Sequence, residues 1–178
     1  MRLFAAISPP DEVRDRLEAL QSGLPEKPRV PWENFHVTLA FFGEVDAHRE
    51  ADLDAAVSKI SFAPFDLTLN GVDAFGGDRP RHLYAAVAPS EPLTKLQAAI
   101  TRAARDAGVE VEARKYVPHV TLARLGGRSI DERLLRWMGG AGAFRCDPFS
   151  VERFELFSSS LGSGPPHYAV RRSYPARS

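Results

Sequence analysis

The chain has 178 residues, of which 44% are hydrophobic and 26% charged, a composition typical of a folded globular protein. Its 23 basic and 23 acidic side chains cancel, which argues against a general nucleic-acid coat protein but allows a local basic patch. Cys146 is the single cysteine, which excludes a disulfide framework and a thiolate metal site and fits a reducing cytoplasm. No apolar run reaches the roughly 20 residues of a membrane span. Residues 1–7 form too short a run for a signal peptide, so we expect a soluble cytoplasmic protein.

Apolar residues alternate or cluster in seven short segments that we predict to be strands. The first, Leu3–Ile7, is apolar throughout, which indicates a central position in a sheet. The segment Phe65–Leu69 alternates cleanly and ends at Asn70-Gly71, a typical turn pair. The other predicted strands cover residues 36–44, 82–87, 119–123, 149–157 and 168–172.

Four helices are predicted between these strands, from apolar residues that recur at helical spacing. Prolines and acids open the first, at residues 9–12. The second has Asp46 as its cap and an apolar stripe that reaches Ile60. The third runs from Ser90 to a stop at Gly108. The fourth begins at a capping box, Ser129-Ile130-Asp131-Glu132, and is expected to end at Gly139-Gly140.

Strands and helices alternate irregularly rather than in strict βαβ units, which predicts the α+β class. We expect one bilobal domain over residues 1–178, in which two mainly antiparallel sheets form a central cleft and the helices cover the outer faces. The halves resemble each other weakly, so a pseudo-twofold relation is predicted only for the two central strands.

Those two strands carry the same five residues. His36-Val37-Thr38-Leu39-Ala40 recurs letter for letter as His119-Val120-Thr121-Leu122-Ala123, once in each half of the chain. In an extended strand the histidine, threonine and alanine point to one face, and the valine and leucine point to the other. Each copy therefore places an imidazole and a hydroxyl side by side, anchored by an apolar face behind them.

Two facing histidines suit the hydrolysis of a phosphodiester, because one can deprotonate water while the other protonates the leaving oxygen. Thr38 and Thr121 can hydrogen-bond the non-bridging phosphoryl oxygens. The scheme needs no metal, although two histidines and a distant carboxylate remain an alternative as metal ligands. Either histidine alone could be a structural strand residue; an identical copy at the matched position favours a shared function for His36 and His119.

Arg124 follows the second copy, where Phe41 follows the first, and its guanidinium suits a phosphate. Strict alternation would aim Arg124 away from His119, so a role there requires the strand to end or bulge. Phe42, Tyr84 and Tyr116 are candidates for stacking on a base, with core packing as the ordinary role. His48, His82 and His167 lack a repeated context and are interpreted as surface or structural residues. A basic rim for an RNA backbone could comprise Arg79, Arg81, Arg114, Lys115, Arg128, Arg171 and Arg172.

The sequence resembles the two-histidine phosphoesterase superfamily, whose members carry paired H-x-T-x motifs on the central strands of a bilobal fold. It is most similar to the RNA 2′,3′-cyclic phosphodiesterase branch, historically named 2′-5′ RNA ligase. The resemblance rests on residues 2–7, 34–39, 42–44, 118–124 and 156–161 with Tyr168. Ala40 and Phe41 depart from a lysine-containing version of this turn that many members have.

The resemblance implies hydrolysis of a terminal 2′,3′-cyclic phosphate of RNA to a 2′-phosphate, without a metal or other cofactor. His36 would then be the proton donor and His119 the proton acceptor, while Thr38, Thr121 and Arg124 hold the phosphate. The expected partners are RNA 3′ ends or small cyclic nucleotides, bound by a monomer and not at a membrane. Two alternatives stay open, namely an enzyme that cleaves or reversibly joins 2′-5′ linkages and a non-catalytic module that binds RNA ends.

Overall fold

The computed structural model describes residues 1–25, 29–127 and 130–177, and the elements below lie within these ranges. The first half of the chain contains β1 Arg2–Ile7, α1 Asp11–Gln21, a short 3₁₀ helix Trp32–Asn34, β2 Val37–Glu44, α2 Ala47–Val57, β3 Phe65–Leu67 and β4 Leu69–Phe75. The remaining elements are β5 His82–Val87, α3 Glu91–Asp106, β6 His119–Arg124, α4 Glu132–Ala141, β7 Phe149–Val151, β8 Arg153–Ser160 and β9 His167–Pro175.

The main sheet has the strand order β4-β5-β6-β2-β1-β8-β9, and each pair of neighbours is antiparallel. Its two halves meet at β2 and β6, which share only the bridge between Val37 and Val120 among the described residues. This narrow junction separates a three-stranded lobe from a four-stranded lobe. Strands β3 and β7 form a separate antiparallel pair. The predicted α+β class, with antiparallel lobes, is confirmed.

The pseudo-twofold relation extends further than the sequence predicts. The order β1-α1-β2-α2-β3-β4 is repeated as β5-α3-β6-α4-β7-β8, and β9 is an addition at the end. In the sheet, β1 flanks β2 as β5 flanks β6, and the last strand of each repeat pairs with the first strand of the other. Residue identities outside the two central strands have diverged too far for this relation to be visible in the sequence.

Two predicted strands are each divided in the structure. The segment 65–69 breaks at Thr68 into β3 and β4, and the segment 149–157 breaks at Glu152 into β7 and β8. The predicted stop at Asn70-Gly71 is wrong, because β4 continues to Phe75. Gly71 adopts a φ of +82° at an irregularity in the β4–β5 register, which lets the strand bend without ending.

The helix boundaries also differ from those predicted. Helix α2 ends at Val57 and not at Ile60, and α4 continues through Gly139-Gly140 to Ala141. The N-caps of α2 and α3 are Asp46 and Ser90, as predicted, and each side chain accepts a backbone N–H. Ser129, the first residue of the predicted capping box, lies outside the described residues. Asp131 is the N-cap of α4.

Helices α1, α2 and α3 pack on one face of the sheet and bury its apolar side chains. Leu17, Leu53 and Ile100, one from each helix, are fully buried in the same core as Val37 and Val120. The predicted apolar faces of the two central strands therefore anchor them to the helices, which leaves their polar faces on the opposite side of the sheet. None of the described helices has the length and apolarity that crossing a membrane requires.

Candidate active site

The two copies of the five-residue segment, residues 36–40 and 119–123, line one cleft; this segment is called the repeated phrase below. The bridge between Val37 and Val120 places β2 beside β6, so that the two polar faces adjoin. The cleft has a volume of about 1070 Å³, and its lining includes both histidines and both threonines of the phrase. This volume is at the upper end of the roughly 300–1,000 Å³ of small-molecule sites. The structure thus brings together His36, Thr38, His119 and Thr121.

Both histidines are oriented by the same hydrogen bond. Nδ1 of His36 lies 2.7 Å from the carbonyl oxygen of Asn34, and Nδ1 of His119 lies 2.7 Å from that of Val117. A carbonyl oxygen only accepts hydrogen bonds, so each Nδ1 carries a proton. In the neutral ring Nε2 is then unprotonated, and it is the nitrogen available for proton transfer to or from a substrate.

Aromatic rings hold each imidazole from two sides. The ring centroid of His36 lies 5.0 Å from that of Phe4 and 5.3 Å from that of Tyr168. That of His119 lies 4.9 Å from Phe75 and 5.1 Å from Tyr84. Sequence reasoning missed Phe4 and Phe75 as parts of the site, since both lie far from the repeated phrase and read as ordinary strand residues.

Burial makes both imidazoles poor proton acceptors in the free protein. It lowers the pKa of His36 from 6.5 to about 4, against the opposing effect of the Nδ1 hydrogen bond, and the charges of His119 and Arg124 lower it further. Burial is also the main reason why the pKa of His119 is lowered, with Arg114 adding to it. Both rings are therefore neutral at pH 7 before an anion binds.

A β-bulge turns Arg124 into the cleft. Tyr84 pairs with Thr121, but the preceding residue, Leu83, pairs with Ala123, so Leu122 is an extra residue in β6. The extra residue reverses the alternation, and Arg124 then lies on the same face as His119. Arg124 lines the cleft, as the phosphate-binding prediction requires.

The first copy of the phrase has a matching bulge. Thr38 pairs with Ala6, but Ala40 pairs with Ala5, so Leu39 is the extra residue of β2. Ala40 is buried in the core, and the prediction that it shares the face of His36 is wrong because of this bulge. Phe41 consequently lies on the cleft side, at the position that Arg124 occupies in the second copy.

Side chains from outside the phrase support both bulges. Gln21, buried at the end of α1, donates from Nε2 to the carbonyl oxygens of Leu122 at 2.6 Å and Val30 at 2.9 Å. The hydroxyl of Tyr116 donates to the carbonyl oxygen of Thr38 at 3.0 Å. These bonds satisfy buried carbonyl groups beside the irregular register. Nothing in the sequence pattern indicates these long-range partners.

The remaining cleft candidates divide into lining residues and packing residues. Arg79, Arg81, Arg114 and Lys115 line the cleft or a cavity beside it. Arg171 and Arg172 do not belong to this rim, because they form ion pairs with Glu50 and Asp54 at 3.0 and 3.5 Å. Arg128 lies outside the described residues.

The aromatic candidates for stacking have their ordinary packing role. Phe42 and Tyr84 are buried and Tyr116 is partly buried. The half-exposed ring of Phe41 is the better stacking surface.

The two lobes differ in charge around the same central geometry. Phe4 pairs with Phe41 in the first lobe, and His82 pairs with Arg124 at the equivalent position in the second. The guanidinium carbon of Arg114 lies 5.8 Å from the centroid of the Phe41 ring. At this pair of equivalent positions the lobe of His36 is therefore aromatic and the lobe of His119 is cationic. Across the parts of the chain that the structure describes, no three His, Cys, Asp or Glu side chains form a group that could hold a metal ion.

The family relationship follows from a comparison with known proteins. A family model described as the 2′-5′ RNA ligase superfamily matches residues 9–162, which is most of the chain. The chain belongs to the 2′-5′ RNA ligase superfamily. This membership confirms the resemblance that the paired motifs indicate.

Curated members of the superfamily are similar over most of their length. The RNA 2′,3′-cyclic phosphodiesterase of Aeropyrum pernix is 37% identical over 149 residues, which cover 83% of this chain and 84% of that protein. The Escherichia coli protein of the same name is 31% identical over 173 residues, covering 94% of this chain and 92% of that one.

Two solved structures share the fold of this chain over nearly its whole length. The crystal structure of E. coli LigT complexed with 3′-AMP has a TM-score of 0.83 and 25% identity, and the match covers 99% of this chain and 98% of that chain. TT0787 of Thermus thermophilus also has a TM-score of 0.83, at 26% identity and the same coverage. The superfamily fold thus extends over nearly the whole chain, including both repeated phrases.

Proposed function

We propose that this protein hydrolyses the terminal 2′,3′-cyclic phosphodiester of RNA to a 2′-phosphomonoester. The observation that carries the proposal is the duplicated His-x-Thr face, whose two copies line one cleft. The names of the A. pernix and E. coli relatives support it, since both are RNA 2′,3′-cyclic phosphodiesterases.

In the proposed reaction, water attacks the phosphorus and the bond to O3′ breaks, while O2′ stays attached. His119 takes a proton from the attacking water, and His36 gives a proton to the departing O3′. The hydroxyl groups of Thr38 and Thr121 and the guanidinium of Arg124 bind the non-bridging oxygens, where negative charge increases in the transition state. The chemistry of these residues requires no metal ion.

The lowered pKa values give substrate binding a second role. A general acid must be protonated when the reaction begins, and His36 is neutral at pH 7 in the free protein. A phosphodiester anion beside the ring favours its charged form and raises its pKa. An anion between the two rings acts on both pKa values, and the reaction proceeds from the form in which His36 carries the proton and His119 does not.

The difference between the lobes supports this division of roles. The local sequences of the two histidines are identical, but Arg124 lies in the lobe of His119 and Phe41 in the lobe of His36. The positive charge of Arg114 lowers the pKa of His119 and so favours the neutral form that a base needs. The aromatic surface beside His36 suits the base of the terminal nucleoside.

The test is hydrolysis of an oligonucleotide with a 2′,3′-cyclic phosphate, with EDTA present. We expect His36→Ala and His119→Ala each to lower the rate by about 10²–10⁴, because acid and base catalysis each contribute that much. His48→Ala, at an exposed position on α2, is the matched control and should retain the wild-type rate. Full activity in both active-site variants would eliminate the proposal, and loss of wild-type activity with EDTA would eliminate its metal-free form.

Product analysis separates the alternatives within the same site. A 2′-phosphate product from the cyclic substrate supports the proposal, whereas cleavage or joining of a 2′-5′ dinucleotide without cyclic phosphate hydrolysis supports the alternative enzyme. Binding without turnover would indicate the non-catalytic module. The absence of a cofactor, a cytoplasmic location and a monomeric state stay predictions from the sequence.

A further inference from the structure

A second cavity opens beside the cleft, in the lobe of His119. It has a volume of about 490 Å³ and is lined by Arg79, Arg81, His82, Arg124 and Gly126-Gly127. Three of these side chains are guanidinium groups, and none is a carboxylate. Arg81, His82 and Arg124 also line the main cleft, so the two spaces adjoin at these residues.

The guanidinium groups of Arg79 and Arg81 have no protein partner among the residues that the structure describes. Neither forms a side-chain hydrogen bond or an ion pair there, whereas Arg49 donates to the carbonyl oxygen of Gly108 and Arg171 pairs with Glu50. Grouping arginines without a carboxylate costs electrostatic free energy, and an anion bound among them would offset this cost.

The backbone around the cavity is preformed. The N–H of Arg81 donates to the carbonyl oxygen of Phe75 and the N–H of Leu125 donates to that of Arg81, both at 2.7 Å. Gly126 and Gly127 have φ values of +66° and +79°. Apart from their chain neighbours, no atom of the described residues lies within 4 Å of where their Cβ atoms would be. This wall therefore leaves open space in front of its backbone, where a ligand can approach closely.

Among the described residues, the other lobe has no matching pair of basic side chains next to its central strand. Phe4 and Phe41 occupy the positions that His82 and Arg124 occupy beside the second cavity. A nucleotide that ends in a 2′,3′-cyclic phosphate continues only through its 5′ oxygen, so the rest of an RNA strand has one direction in which to leave the site. The charge difference favours an exit across the lobe of His119.

We propose that the cavity of Arg79, Arg81, His82 and Arg124 binds the phosphate on the 5′ side of the terminal nucleoside. This inference rests on the proposed function, because it places the cyclic phosphate between the two histidines. Arg124 lies between the two phosphates and contacts the cleft, while Arg79 and Arg81 serve the second phosphate alone. The preferred substrate is then an RNA end or a 5′-phosphorylated nucleotide rather than a nucleoside cyclic phosphate.

A matched pair of substrates tests the inference. Adenosine 2′,3′-cyclic phosphate is compared with the same compound carrying a 5′-phosphate, and the readout is the ratio of their kcat/KM values. We expect the 5′-phosphate to raise kcat/KM of the wild type roughly tenfold or more, since charge-assisted hydrogen bonds are strong. Arg79→Ala/Arg81→Ala should remove most of this advantage, and Arg102→Ala, an exposed change on α3, should preserve it.

Salt provides a second readout on the same substrates. With the 5′-phosphate present, added salt should lower kcat/KM of the wild type more steeply, because salt screens the attraction between this phosphate and the two arginines. The double variant should lose this difference. A wild type that hydrolyses both substrates equally well, or a double variant that keeps the advantage, refutes the subsite and leaves the proposed function intact. A wild type that hydrolyses neither refutes both.

Discussion

Gln21 is predicted to control the position of Arg124, although the two side chains are not in contact. Its amide donates to the carbonyl oxygen of Leu122, the extra residue of the bulge in β6, and to that of Val30. Replacing Gln21 with leucine introduces an apolar side chain of similar size and removes both hydrogen bonds. The bulge in β6 then loses the hydrogen bond that connects it to α1.

The expected loss of stability follows from these partners. Gln21 is 3% exposed, so water does not replace the lost bonds. The carbonyl oxygen of Leu122 still accepts the N–H of Val30 at 2.9 Å, whereas that of Val30 has no other donor within the described part of the chain. One orphaned buried carbonyl and one weakened one cost about 3 kcal/mol of the free energy of unfolding.

Two assays test this reasoning. Urea denaturation measures the free energy of unfolding of Gln21→Leu, with Glu18→Leu on the exposed side of α1 as the control, for which a change within about 0.5 kcal/mol is expected. Kinetics on the cyclic phosphate substrate should show about a tenfold lower kcat/KM for Gln21→Leu. If Gln21 acts through Arg124, the effects of Gln21→Leu and Arg124→Ala will not be additive. A stability loss below about 0.5 kcal/mol, or strictly additive kinetic effects, would refute the reasoning.

Three further predictions concern the histidines and their neighbours. Because the folded-state pKa of His36 is about 4 and the unfolded value is 6.5, its contribution to stability is complete above pH 6.5 and is lost as the pH falls toward 4. Urea denaturation between pH 6.5 and 4 should show that His36→Asn removes about 3 kcal/mol of the acid-induced loss in the free energy of unfolding. If the variant keeps the pH dependence of the wild type, the burial of the His36 ring is contradicted. The pH optimum of kcat/KM lies between the pKa values of the two histidines in the free enzyme. Because both pKa values are lowered, a pH–rate profile should peak below pH 6.5. An optimum above about pH 7.5 would disprove this expectation. Tyr168 accepts a hydrogen bond from Arg124 at 3.0 Å, and Tyr168→Phe should raise KM a few-fold with little change in kcat, whereas an unchanged KM would exclude this contact as a support for substrate binding.

The pair of central strands could be predicted because their information is local. The alternation of His36, Val37, Thr38 and Leu39 predicts which face is buried, and the identical second copy indicates that the arrangement occurs twice. The structure places Val37 and Leu39 in the core and the polar residues on the cleft, in agreement with that pattern. The α+β class follows in the same way from local periodicity.

The bulges could not be predicted, because they depend on which residues pair across strands. Nothing in the phrase itself states that Leu39 and Leu122 are extra residues, and strict alternation aims Arg124 and Ala40 to the wrong faces. The sequence does predict that Arg124 reaches the site only if the strand ends or bulges. Whether the strand ends or bulges depends on partners that are distant in the sequence, such as Gln21.

The aromatic and cationic neighbours of the two histidines could not be predicted from the sequence for a related reason. Phe4 comes from β1, next to β2, and Phe75 comes from β4, which β5 separates from β6. No spacing rule in the sequence connects these two residues to His36 or His119. The predicted basic rim likewise mixed cleft arginines with Arg171 and Arg172, which have carboxylate partners more than 100 residues away in the chain. Charge and residue type alone do not state which arginines are paired.

The central claim is that both imidazoles act on one phosphate. Its most direct test is a crystal structure of the protein with adenosine 2′-phosphate, the expected product. We predict a phosphoryl group within about 3.2 Å of Nε2 of both His36 and His119, with its other oxygens on Thr38, Thr121 and Arg124. A phosphoryl group that contacts only one histidine, or that lies away from both, would contradict it.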